Sequence, residues 1–185
     1  MAVCFAVGLI NLAEGLYIPA KAALAQHLMQ RAWQRGESVE SSADPALRPW
    51  PWADTHPIAR LTSDVFDHEM FILSGANGRT LAFGPGHLQS SAQPGDVGNA
   101  VVAGHRDTHF AFLEDVALGD RLVIDRRDGE RVVFEIDELE VIDARRASVA
   151  LDSDEPRLTL VTCYPFDAVQ AGGPLRYIVS ARRMF

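Results

Sequence analysis

From Pro57 onward the apolar residues fall in short runs separated by turn residues, and within several runs apolar and polar side chains alternate. A period of two sends successive side chains to opposite faces of a strand. IARLTS and EMFILSGA predict the first two strands, NGRTLAFGPGHL a turn, a short helix and a glycine-proline loop, and PGDVGNAVVAGH a turn and a buried strand. FAFLEDV reads as one helical turn. DRLVIDRR and RVVFEIDELEVID flank Asp128-Gly129, a strong short-range hairpin signal. An acidic turn, DSDEPR, then leads into a strand ending in TLVTC, and LRYIVSA forms the last run. In the TLVTC strand Leu158 and Leu160 share one face, while Thr159, Val161 and Cys163 share the other. About eight short strands of this kind predict a mainly β protein, a closed or nearly closed β-barrel with short helices and an N-terminal helix.

Upstream the pattern changes. MAVCFAVGLINLAEGLYIPA is apolar until Asn11 and Glu14 interrupt it. A spanning helix needs roughly 20 mostly apolar residues, a length reached here only if Glu14 is tolerated. No basic residue precedes the run, so the usual cytoplasmic charge cue is missing. KAALAQHLMQRAW continues with Ala22, Ala25, Leu28, Met29 and Ala32 at helical spacing, and His27 reads as a solvated residue on it. Residues 1–35 are thus an apolar then amphipathic helix, a membrane anchor or a helix packed on the domain. Residues 36–56 are a Pro/Trp-containing linker whose RPWPW cluster straps onto the barrel or sits at a membrane interface, and residues 57–185 are the barrel.

The net charge of −8 argues against nucleic acid as a partner, since phosphate binding needs a concentrated basic surface. The 17 basic residues, all but Lys21 arginine, are scattered. GPGH and AGGP lack the helix context and following lysine of a phosphate loop.

Chemistry collects at strand ends. If the TLVTC and LRYIVSA runs pair antiparallel, Cys163 and Arg176 face each other across the mouth of the YPFDAVQAGGP connection. His105 stands just past the NAVVAGH strand. A thiol, an imidazole and a guanidinium so placed suit thiol-based acyl transfer. The thiolate is the nucleophile, and an isolated thiol of pKa about 8.5 is only a few per cent ionised at pH 7, so neighbouring cations matter. Cys4, the only other cysteine, lies in the apolar N-terminal run and reads as packing or lipid-facing, which leaves Cys163 free. Each residue also has a plainer role open to it: a buried cysteine packs, a histidine after glycine caps a turn, and a strand arginine pairs with an acid. The pair His105 and His109 lacks the glutamate of a zinc-binding HExxH helix, so no metal is expected there.

TLVTC fits the TLxTC signature of the sortases, cysteine transpeptidases of bacterial envelopes, and the order His105, Cys163, Arg176 is theirs too. AGHRDTHF and TLVTCYPFDAVQAGGPLRYIV resemble the Gram-negative, proteobacterial branch, and the likeness runs from Pro57 to Phe185, with RPWPWAD also similar. The resemblance implies the eight-stranded sortase barrel, an enzyme without cofactor, and a location in the cell envelope. The N-terminal helix would anchor it to the inner membrane with the catalytic domain facing the periplasm. A start placed too far downstream would account for the missing basic flank. The enzyme would cleave the C-terminal sorting signal of an exported protein, hold the acyl group as a thioester on Cys163 and pass it to an amine acceptor. His105 would shuttle the proton and Arg176 would stabilise the oxyanion. The Tyr164 N–H is a natural second oxyanion donor, and Thr162 either contributes its hydroxyl or sets the strand end. Some sortases bind calcium near the connection holding Asp152 to Glu155, yet the ligand spacing of a calcium loop is absent and a solvated turn is expected. A thiol peptidase that only hydrolyses is the rival enzyme, and a non-catalytic envelope peptide-binding barrel is the rival from another class.

Overall fold

The computed structural model describes residues 24–36, 47–66, 69–168 and 172–184. The proposed anchor at residues 1–20 and residues 37–46 of the 36–56 linker therefore lie outside the described residues. Among the described residues no helix is long and apolar enough to cross a membrane.

Helix α1 covers residues 24–36. The strands are β1 (Pro57–Ser63), β2 (Met70–Ser74), β3 (Gly86–His87), β4 (Gly98–Ala103), β5 (Arg121–Arg126), β6 (Arg131–Asp143), β7 (Pro156–Cys163) and β8 (Leu175–Arg183). A short helix α2 (Gly78–Leu81) precedes β3, and a 3-10 turn (Ala111–Glu114) follows β4. The strands close into a barrel in the order β1-β2-β3-β4-β7-β8-β6-β5. The predicted eight-stranded barrel is thus present, and the Asp128-Gly129 hairpin joins β5 to β6, with Gly129 at φ 87° where a side chain would be strained. One expectation changes: Gly86-His87, read as loop, pairs with β2 on one side and β4 on the other. A two-residue strand carries no periodicity to read.

Alternation decides which side chains face inward. Ala59, Leu61, Ile72, Ala100, Val102, Leu122, Ile124, Phe134, Leu158, Leu160, Val179 and Ala181 fill the interior with Phe110 and Leu113 from the turn after β4. Truncating one such large side chain to alanine costs about 2–5 kcal/mol, enough to threaten a domain of ordinary stability.

The outer face of β2 has its own cover. Met29 and Trp33 of α1 bury against Phe71 and Leu73, and the Trp33 and Phe71 rings lie 5.9 Å apart. Ala25 and Ala32 are buried on the same helix face, Leu28 is half-buried and His27 is exposed, as the periodicity predicts. Trp50 packs edge-on against Phe83 at 5.0 Å and straps the chain to the barrel. Its neighbour Trp52 does not: the bond from Ala53 N–H to the Trp50 carbonyl (3.0 Å) closes a turn that leaves Trp52 82% exposed.

His87 is buried, its Nε2 2.7 Å from the Ala92 carbonyl oxygen and 3.1 Å from Ser91 Oγ. Burial lowers its pKa from the ordinary value of 6.5. His56 is lowered too, by burial first and then by Arg127 and Arg48. The unfolded chain then binds more protons than the native one as pH falls below about 6.5, so native stability is full above that value and declines toward the depressed pKa values. Urea unfolding at pH 7.5 and 5.5 is expected to show this loss, and His87→Gln is expected to reduce the slope while lowering stability overall.

Candidate active site

Strand β7 runs parallel to β4 and antiparallel to β8. The end of β4, the end of β7 and the start of β8 therefore meet at one rim of the barrel. Cys163 lies directly opposite Arg176 in the β7/β8 ladder. On the other flank Ala103 pairs with Val161, and the Gly104 N–H donates to the Val161 carbonyl at 3.1 Å. Two residues beyond that pair stand His105 on one chain and Cys163 on the other.

Parity then places the side chains. Ala100, Val102, Leu158, Leu160, Val179 and Ala181 point into the core. Their alternates, ending in Ala103, Cys163 and Arg176, line the outer face. Cys163 is a free thiol and only partly buried, Arg176 is partly buried and His105 is exposed. The sulfur is thus not sealed in hydrocarbon. Farther from the rim the same outer face is closed by a polar clamp that the sequence reading missed. Thr159 Oγ1 donates to Asn99 Oδ1 (2.9 Å), and Asn99 Nδ2 donates to the Ala150 carbonyl (2.8 Å), drawing the β6–β7 connection onto β4.

Local bonds hold each candidate residue. Thr162 points inward, 2% exposed, and its hydroxyl donates to the Gly104 carbonyl at 2.8 Å. Of the two roles expected for it, this is the one that sets the strand end. Gly104 has no room for a side chain, because an added Cβ would lie 2.7 Å from the Phe110 ring. Phe110 is fully buried, and its N–H returns to the His105 carbonyl at 2.9 Å, curling the histidine turn over the core. Arg176 Nη1 donates to the carbonyls of Gly173 (2.7 Å) and Leu175 (2.8 Å), which fixes the cation at the start of β8.

The Tyr164 N–H requires a correction. It was expected as a second oxyanion donor, but it donates to the Leu175 carbonyl at 3.1 Å, continuing the β7/β8 ladder past Cys163. A donor engaged there does not face an incoming carbonyl. The Tyr164 ring stacks on Tyr177 (6.1 Å between centroids) and meets Phe166 edge-on (6.2 Å), so the connection leaves Cys163 stapled to the barrel end. Burial raises the Tyr177 phenol above its ordinary 10, with Tyr164 adding to the rise, so Tyr177 stays neutral at physiological pH. At the same rim Asp143, paired with Leu175, is held down to about 2 by hydrogen bonds from Arg145 and remains a carboxylate.

The sortase-domain family model matches residues 61–184. The chain is 34% identical over 117 residues to Sortase D of Bacillus subtilis (strain 168), a match covering 63% of this chain and 58% of that protein. It thus spans less than two thirds of that relative's length. Among solved structures, a Clostridium perfringens Sortase D5 transpeptidase shares the fold with a TM-score of 0.70 at 23% identity, covering 88% of this chain and 99% of that one. Sortase A from Corynebacterium diphtheriae superposes with a TM-score of 0.62 at 28% identity, covering 88% and 85%.

The Thr162 hydroxyl is the fastening most open to test. Thr162→Val keeps the shape but leaves the Gly104 carbonyl without that donor, and denaturant unfolding is expected to show a loss of about 1–3 kcal/mol.

Proposed function

The chain belongs to the sortase family, and from that premise we propose that it is a cysteine transpeptidase acting through Cys163, His105 and Arg176. The observation that carries the reading is the meeting of three strand ends at one rim, with Cys163 opposite Arg176 and His105 two residues past the Ala103–Val161 pair.

The Cys163 thiolate attacks the carbonyl of the scissile peptide bond in the sorting signal of an exported protein. Negative charge gathers on the carbonyl oxygen, where the Arg176 guanidinium, permanently charged and gripped through Nη1 by two carbonyls, stabilises it. His105 gives a proton to the departing amide nitrogen, leaving a thioester on Cys163. An amine then attacks the thioester, His105 takes its proton, and a new amide leaves with the Cys163 thiolate and the protonated imidazole restored. The exposure of His105 suits a base that must meet an amine arriving from solvent.

The family is associated with the cell envelope. The apolar character of residues 1–20 supports attachment to the inner membrane with the barrel on the periplasmic side. The AGHRDTHF and TLVTCYPFDAVQAGGPLRYIV surroundings support a place in the proteobacterial branch of the family.

A thiol-directed peptide probe is expected to label wild-type protein at Cys163 and to leave Cys163→Ala unlabelled. A folded wild type that stays inert would favour a barrel that only binds peptide tails. Arg176→Ala is expected to lose about 10²–10³-fold in acylation rate, the scale of one oxyanion donor. Mass analysis of products with and without an added amine separates transfer from hydrolysis. Transfer predicts an amide product that grows with amine concentration, and a free acid unchanged by amine would leave only the hydrolytic activity.

A further inference from the structure

Two connections frame Cys163: the turn of residues 104–110, which carries His105, and residues 164–174, which lead from Cys163 to Arg176. Each is fastened to the barrel at its ends. Gly104 is held by Val161 and Thr162. Tyr164 N–H is bonded to Leu175, and the rings of Tyr164, Phe166 and Tyr177 pack together. Among the described residues of the two connections, the strand ladders stop at their ends. Beyond them Arg106, the residue after His105, extends a partly buried side chain whose Nη2 donates to the Ala168 carbonyl at 2.6 Å.

We propose that Arg106 is a positioning residue, whose bond to Ala168 ties the histidine turn to the cysteine–arginine connection and keeps the imidazole at working distance from the sulfur. The proposal rests on the transpeptidase reading above. The bond joins the two connections directly, whereas each strand-side fastening holds only the root of one of them. A charged donor on a backbone carbonyl is stronger than a neutral pair. Because the acceptor is main chain, substitution of the side chain at position 168 leaves it in place. Arginine also suits the span, since its long stem packs while the planar head donates. A misplacement of about 1 Å between reacting groups can cost on the order of 10²-fold in rate, so a tie of this kind has kinetic consequences even without touching substrate.

The test uses the full chain and p-nitrophenyl acetate as the acyl donor. Cys163 sulfur gains the acetyl group as p-nitrophenolate leaves, and added glycinamide then takes the acetyl as an amide and frees the thiol. Arg106→Gln is expected to slow acylation and amine-dependent release at saturation by about 10- to 100-fold, with the half-saturating ester concentration and the melting temperature near wild type. Arg106→Lys, which keeps a cationic donor, is expected to recover most of the loss. Arg106→Gln at wild-type rates overturns the proposal, and so does a loss confined to half-saturation or one that lysine does not repair. A wild type acylated no faster than Cys163→Ala would instead sink the transpeptidase reading, and the role of Arg106 with it.

Discussion

The site depends on strand direction. Strand β7 has a parallel neighbour on one side and an antiparallel neighbour on the other, so its last residue meets the end of β4 and the beginning of β8. With β4 and β7 running one way and β8 the other, the histidine after β4, the cysteine ending β7 and the arginine opening β8 come to one rim. The closed strand order around them keeps the arrangement rigid, because each of the three has hydrogen-bonded neighbours on both edges.

Register is the second half of that constraint. Side chains alternate with a period of two, so a slip of one residue would turn Cys163 inward and Thr162 outward. The slip is resisted from inside: Leu158 and Leu160 on β7 and Val179 and Ala181 on β8 are fully buried, and moving them to solvent would forfeit about 1.5–3 kcal/mol for each large side chain. The apolar core thus holds the face that carries Cys163 and Arg176 in place. Gly104 and Phe110 extend this control to the histidine turn, since a fully buried ring packed against a residue without a side chain fixes where the turn leaves the barrel.

Surface charge contributes little by comparison. Arg60 with Glu69 and Asp125, Arg157 with Asp137, and Arg182 with Glu135 are ion pairs at the surface or partly buried, and such pairs are worth about 0–1 kcal/mol each. Burial of Met29 and Trp33 over β2 is a larger contribution, and it makes α1 part of the folded body as well as a lead-in to it.

Much of this was legible in the chain. Alternation predicted the long strands, Asp128-Gly129 predicted the hairpin, and the adjacency of β7 and β8 followed from their short separation, which put Cys163 opposite Arg176. The spacing of Ala25, Met29 and Ala32 predicted the buried face of α1. These are properties of single stretches of the chain or of stretches that follow one another directly. What only the tertiary structure decided involves partners far apart in the chain. The parallel pairing of β4 with β7 joins residues nearly 60 positions apart and sets the strand end before His105 beside the strand that ends in Cys163. The clamp of Asn99 on Thr159 and Ala150, the bond from Thr162 to Gly104, and that from Arg106 to Ala168 are likewise long-range. A periodic pattern says which face of a strand is apolar, but not which other strand lies beside it. That choice is made by packing the whole barrel, where all inward faces must share one interior.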